Sequence, residues 1–264
     1  MKLFIIMLRT SLRQQLQYRS AMLAGMFTQL MFGLIYIMVY MAYYEYGMGT
    51  PGMTLAQAVG YTWLNQACLR MMSLSGLNDV EDMMRDGRIA FELTRPTGLQ
   101  HLWFARSMGK RIAPFFINVP LIMLIAFLMP QNMRLVLDVQ LLPLGVLSLV
   151  LAVLVSASVT VLLTETMFWT VSGEGINKLV PMIATVCSGS LLPLEFFPDV
   201  LRDVLRALPF AAISDAPLRI LVGAASTQAA WSAIALQLFW LIVLTVLGHV
   251  LMQRGVRKCM VQGG

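Results

Sequence analysis

Charge is scarce in this sequence. Only 12% of its 264 residues are Asp, Glu, Lys or Arg, about half the share usual in a water-soluble domain. With 58% hydrophobic residues and a mean hydropathy of +0.75, that scarcity excludes a soluble globular fold. Cysteine is scarce too. Cys68, Cys187 and Cys259 are scattered with no CxxC pair, so neither a disulfide nor a cysteine metal site is expected. The two histidines, His101 and His249, lie far apart in the sequence and suggest no metal site. No GxxxxGK[ST] loop occurs: Gly109-Lys110-Arg111 lacks both the upstream glycine and the following Ser or Thr, so the chain has no such route to ATP. HExxH and GxSxG are also missing, and no apolar run carries a central Asp or Glu. These absences exclude an enzyme active site of those kinds. They also disfavour an ion-coupled carrier, which needs a titratable group at membrane depth.

What the sequence does contain is long apolar runs, several near the roughly 20 residues that a helix needs to cross about 30 Å of hydrocarbon. They are too long for the strands of a membrane barrel. The expected class is all-α: a polytopic membrane protein with one transmembrane domain over residues 1–264 and six spans. Residues 1–20 are read as an amphipathic interfacial helix, with Met1, Ile5, Leu8, Leu12 and Leu16 on one face and Lys2, Arg9 and Arg13 beside it. The spans are placed at about Ala21–Tyr43, Leu55–Leu77, Ile112–Met129, Leu141–Leu163, Leu179–Pro193 and Ala229–Met252. The first ends in Tyr40, Tyr43, Tyr44 and Tyr46, which suits an aromatic belt. The second contains Asn65, Gln66 and Arg70, so it should face protein or a polar pathway rather than lipid. Pro114 and Pro120 predict a bend in the third. Ser156, Ser158, Thr160 and Thr164 in the fourth suit hydrogen bonds between helices. Glu165–Lys178 reads as a second polar turn. Residues 194–228 read as an external hairpin and loop, in which Val200, Leu201, Val204, Leu205 and Leu208 form one face, opposite the pairs Asp199–Arg202 and Asp203–Arg206.

The longest polar stretch, Asn78–Arg111, holds 11 of the chain's 32 charged residues in 34 positions. Six spans put this loop, the Glu165–Lys178 turn and both termini on one side, with 14 of the 19 Lys and Arg. The positive-inside rule makes that side cytoplasmic. The net charge of +6 therefore reflects topology, and no basic soluble face for nucleic acid is present. Within the loop, Val80, Met83, Met84, Gly87 and Phe91 fall on one helical face. Asn78 and Glu81 have the spacing of a capping box, Gly87 is a weak point, and Pro96 ends the helix after Arg95. Leu99, Leu102, Trp103 and Arg106 suit a second, interfacial helix leading into the third span.

The motif DGRIAFELTRP after the second span resembles a stretch of bacterial type-2 ABC export permeases, in particular the six-span subfamily with paired permeases. PLEFFPDVLRDVLRALPF after the fifth span resembles that family's external helical hairpin, and the N-terminal helix matches in position. The resemblance implies a non-enzymatic permease subunit of the bacterial inner membrane, exporting an amphiphilic or drug-like substrate. Its partners would be ABC ATPase subunits, which carry ATP and Mg, a second permease chain, identical or paralogous, and membrane lipid; this chain itself would hold no cofactor. The family's coupling helix maps onto Met83–Pro96, with Met84 and Phe91 as apolar anchors and Asp86, Arg88, Glu92 and Arg95 as polar rim; Met83, Gly87 and Pro96 complete the segment. The family's pathway points more loosely to Asn65, Gln66, Arg70 and Ser188. The alternatives are an assembly or anchoring protein that transports nothing, and an ion-coupled carrier.

Overall fold

The computed structural model describes residues 19–47, 52–93, 98–170 and 174–262, with isolated positions among the first 17. Of residues 1–20, where an interfacial helix is expected, more than half lie outside the described residues, and those described are helical. The described elements are all helical: α1 Arg19–Glu45, α2 Leu55–Cys68, α3 Asn78–Arg85, α4 Ala90–Leu93, α5 Leu99–Leu128, α6 Leu142–Glu165, α7 Glu174–Cys187, α8 Asp199–Ala207, α9 Pro209–Ile213, α10 Asp215–Leu221 and α11 Thr227–Gln262. Four of them, α1, α5, α6 and α11, are long and apolar enough to cross a membrane. At the positions of the expected second and fifth spans, α2 and α7 have 14 residues each, about 21 Å of helix.

The bundle is organised around α6. Two thirds of its apolar span is buried (67%), against 22–29% for the other three long helices. It packs against α5, α10 and α11, and its small residues let those neighbours approach. A buried glutamine joins α6 to α11: Gln237 Oε1 accepts from the Ser148 hydroxyl at 3.0 Å, while its Nε2 donates to Ser148 O at 3.0 Å and Ala212 O at 2.7 Å. The outer helices show apolar residues instead, such as Phe27, Phe32 and Val39 on α1 and Phe239, Ile242 and Val246 on α11, as surfaces turned to hydrocarbon do.

Three boundaries differ from the sequence reading. The expected span Leu55–Leu77 is helical only to Cys68, and residues 73–77 are in no helix, with Leu77 extended. The side chains that replace the missing helical hydrogen bonds lie on α5 and α6, remote in sequence. The expected turn over Glu165–Lys178 is shorter, because Glu165 is the last residue of α6 and α7 begins at Glu174, with Pro181 inside it. The interfacial and third-span helices merge into α5, which runs unbroken through Pro114 and Pro120. Tyr40, Tyr43 and Tyr44, expected as an aromatic belt, surround Phe196 at ring-centroid distances of 5.2, 5.5 and 6.4 Å.

The expected apolar face of α8 is divided, with Leu205 buried against Leu194 and Ala211. Val200 and Val204 are exposed, at 81% and 58%, and the arginines turn inward. Buried Glu195 and Asp215 draw them there: Arg206 reaches Glu195 at 2.5 Å and Asp215 at 3.5 Å, and Arg219 reaches Asp215 at 3.5 Å. The Asp199–Arg202 pair forms at 2.7 Å, whereas Asp203 pairs with Arg202 at 3.7 Å instead of with Arg206. Two desolvated carboxylates outweigh a surface ion pair, because an exposed pair contributes little.

Replacing Gln237 by Leu removes the hydrogen bonds joining α6 to α11 and to the end of α9. We expect a loss of about 1–2 kcal/mol, measured by unfolding the purified protein in mixed micelles.

Candidate functional site

The charged loop folds as two short helices, α3 and α4, hinged at Gly87. Its φ of +73° is a conformation that suits glycine, and it turns the chain so that α4 does not continue the face of α3. Val80 and Ile89 enter a buried cluster with Leu77, Leu102, Trp103, Val161, Phe168 and Met252. Met83 and Met84 are half-buried at its edge, and Phe91 is 75% exposed. The single apolar face expected over Val80–Phe91 is thus divided: one part seats the loop on the membrane helices, and Phe91 projects away.

Glu92, expected on the polar rim, is buried at 2% exposure. It accepts a hydrogen bond from Trp103 Nε1 at 3.0 Å and an ion pair from Arg106. Arg106 also lies 3.6 Å from Asp79, which bonds Lys110 at 2.6 Å. One network therefore ties both ends of the loop to the first four turns of α5. Trp103 in turn stacks on Phe168 after α6, at a centroid distance of 5.9 Å. Asp86 and Arg88 form an exposed pair at 2.7 Å, while Arg95 and Pro96 lie outside the described residues.

The expected capping box does not form. Asn78 is the first helical residue, the cap position is Leu77, and no side chain caps the helix. Glu81 instead accepts a hydrogen bond from Asn177 of α7, tying the loop to a second helix of the bundle. Burial raises the Glu81 carboxyl from its ordinary value of 4.5, partly offset by Arg85.

Beneath the loop, Arg111 is 4% exposed. Its hydrogen-bond partners are all neutral: the Ser156 hydroxyl at 2.9 Å and carbonyl at 3.0 Å, the Ser107 carbonyl at 3.0 Å and hydroxyl at 2.5 Å, the Ser73 carbonyl at 2.7 Å and the Thr160 hydroxyl at 2.6 Å. The non-helical segment 73–77 is further held by α6, where Ser156 donates to Ser73 O at 3.3 Å, Thr160 donates to Ser75 O at 3.0 Å and Thr164 accepts from Leu77 N at 3.0 Å. These residues recur once per turn of α6, so one edge of that helix replaces the helical hydrogen bonds that residues 73–77 lack. The sequence reading treated Arg111 only as part of a topological basic cluster. The signal was the hydroxyl stripe Ser156-Thr160-Thr164, which marks a polar partner for α6 without naming it.

Two of the four residues expected near a pathway come together. Asn65 Nδ2 donates to Ser190 O at 2.7 Å, and Ser188 bonds the Ser190 hydroxyl at 2.9 Å, which continues to Ser214 at 3.0 Å. Ser188, Ser190 and Ser214 line a cavity of about 160 Å³ between the end of α2, α7 and α9. Gln66 packs on Gly33 of α1, and Arg70 lies over Gly25 nearer the charged loop. Asn65 and Ser188 thus share one place, and Gln66 and Arg70 lie elsewhere along α1. Among the described residues, no group of three or more His, Cys, Asp and Glu could hold a metal ion.

Glu92→Gln keeps a hydrogen-bond acceptor for Trp103 and removes the charge facing Arg106. It should weaken the loop's seat by about 1–3 kcal/mol, read as faster proteolysis within residues 78–93. A second expectation concerns pH. Because the Glu81 carboxyl titrates higher when folded, the folded form binds its proton more tightly, and stability falls as pH rises from about 4.5 through the folded value. Glu81→Gln should flatten that part of the pH–stability curve, measured by unfolding between about pH 4 and 7.

Curated proteins give no match to this chain. The family model described as ABC-2 family transporter protein matches residues 20–263. With that match and the four long apolar helices, the chain belongs to the ABC-2 transporter family, as a membrane subunit of an ABC transport system.

Proposed function

We propose that this chain is the permease half of an export system, moving an amphiphilic or drug-like substrate out of the bacterial cytoplasm on energy from separate ATPase subunits. Six crossings make up its membrane part, the four long helices together with α2 and α7 and the non-helical residues beside them. Both termini and the α3–α4 loop face the cytoplasm, and two such chains, identical or paralogous, enclose the pathway. ATP and Mg bind the ATPase, and this chain carries no cofactor of its own.

The observation that carries the reading is the two-sided build of the α3–α4 loop. Its inner side is fixed to α5 and α7 through Glu92–Arg106, Trp103 and Glu81–Asn177. Its outer side presents exposed Phe91 beside the charged pair Asp86–Arg88, an apolar anchor with a polar rim of the kind that fills a partner's cleft. A loop serving only to join two spans has no need of a buried carboxylate at its base. Movement of the ATPase would pass through this element to α5 and, through Arg111, to the end of α2.

Phe91→Asp should remove about 2 kcal/mol or more of docking energy and reduce permease-stimulated ATP hydrolysis to the rate of the ATPase alone, while membrane insertion is retained. Gly87→Pro should uncouple similarly, because proline cannot adopt the positive φ. Normal stimulation and normal export after both changes would remove the coupling role, and loss of neither with no detectable export would favour an anchoring protein.

A further inference from the structure

A second cavity, of about 320 Å³, lies where the non-helical segment 73–77 meets α5, on the charged-loop side of the bundle. Its size is at the lower end of the roughly 300–1,000 Å³ range of small-molecule pockets. Three cationic side chains line it, Arg70, Lys110 and Arg111, and no carboxylate does. Two of the three lack a counter-ion among the described residues. Arg111 bonds neutral oxygens alone. Lys110 bonds Asp79, a carboxylate that it shares with Arg106. Arg70 has no hydrogen bond or ion pair among the described residues, although it is half-buried and its guanidinium rests on the backbone of α1 at Gly25, where a Cβ would collide with Nη2. The amino end of α3, which no side chain caps, opens beside it at Asn78.

The depth of the cavity in the membrane follows from α5. Its 30 residues span about 45 Å, some 15 Å more than the hydrocarbon layer. Arg106, Lys110 and Arg111 are the last charged residues before the wholly uncharged stretch 112–128, so Lys110 and Arg111 stand at the boundary between head groups and hydrocarbon. A guanidinium held there without a counter-ion is costly. An anion entering between Arg70, Lys110 and Arg111 offsets that cost, and the anion always present at this depth is the phosphate of a lipid head group.

We infer that this cavity is a binding site for an acidic membrane lipid, with Arg70 and Arg111 bonding the phosphate oxygens and Lys110 adding charge. This inference does not depend on the chain being a transporter. Each basic group near such a surface contributes roughly a fivefold gain in affinity for acidic lipid.

The test is native mass spectrometry of the full-length chain in detergent, titrated with phosphatidylglycerol or phosphatidylcholine of the same acyl composition. The wild type should retain phosphatidylglycerol about fivefold or more over phosphatidylcholine. Arg70→Gln should lower phosphatidylglycerol retention about fivefold and leave phosphatidylcholine unchanged, while Arg70→Lys keeps most of the preference. Gly25→Ala, which displaces the guanidinium without deleting it, should act in the same direction and carries the test if Arg70→Gln fails to fold. Equal retention of the two lipids by the wild type, or an unchanged preference in the variants, would overturn the site. Displacement of phosphatidylglycerol by millimolar inorganic phosphate at constant ionic strength would assign the cavity to a free anion and overturn the lipid assignment.

Discussion

The Arg111 guanidinium holds together parts of the chain that the backbone alone would leave apart. It binds α5, where it resides, to α6 through Ser156 and Thr160, and both helices to the non-helical segment through Ser73 O. Burying a charge at this depth is unfavourable unless its donors are satisfied, and here satisfied donors also supply partners for carbonyls that no helix uses. Without it and the hydroxyls of Ser156 and Thr160, the carbonyls of Ser73 and Ser75 would lose these partners in a medium poor in hydrogen-bond donors. The end of α2 and the buried arginine are therefore one feature, each requiring the other. The position of α3 depends on both, because it begins at the next residue, Asn78.

The two ends of the bundle solve the same electrostatic problem in different ways. At the far end, Glu195 and Asp215 are buried among Arg202, Arg206 and Arg219, with separations of 2.5–3.7 Å, so charges of opposite sign compensate. At the loop end, Glu92 is matched by Arg106 and Asp79 by Lys110, but Arg70 and Arg111 lack a matching acid among the described residues. A paired cluster fixes a shape; an unpaired one leaves a requirement for an outside ion.

The long apolar helices and the charged loop were legible because each depends on composition within a continuous stretch. The prediction of α6 as Leu141–Leu163 lies within two residues of the observed Leu142–Glu165. What local pattern could not supply was the partner of each buried charge. Nothing near Glu92 distinguishes it from Asp86, yet one is buried under Trp103 and the other is exposed, because the turn at Gly87 decides which side of the loop each faces. The end of α2 at Cys68 was hidden for the same reason. The residues that stabilise the non-helical segment lie more than 80 positions later on α6. In α8 the period alone does not say which residues turn inward, since the arginines are drawn there by Glu195 and Asp215 outside the helix. The loop's candidate residues were found as a group, whereas the Arg111 anchor beneath them was read as topology.

The joint between α2 and α3 has a mechanical consequence. An unbroken helix transmits a pull along its own ladder of hydrogen bonds, and each residue shares the strain. Residues 73–77 have no such ladder, so tension on this stretch falls on a few side-chain bonds from Arg111, Ser156, Thr160 and Thr164. Those bonds run sideways to α5 and α6 rather than along the chain. A displacement at α3 is therefore diverted into the neighbouring helices before it reaches α2, and the joint behaves as a clutch whose slip is set by one guanidinium and three hydroxyls.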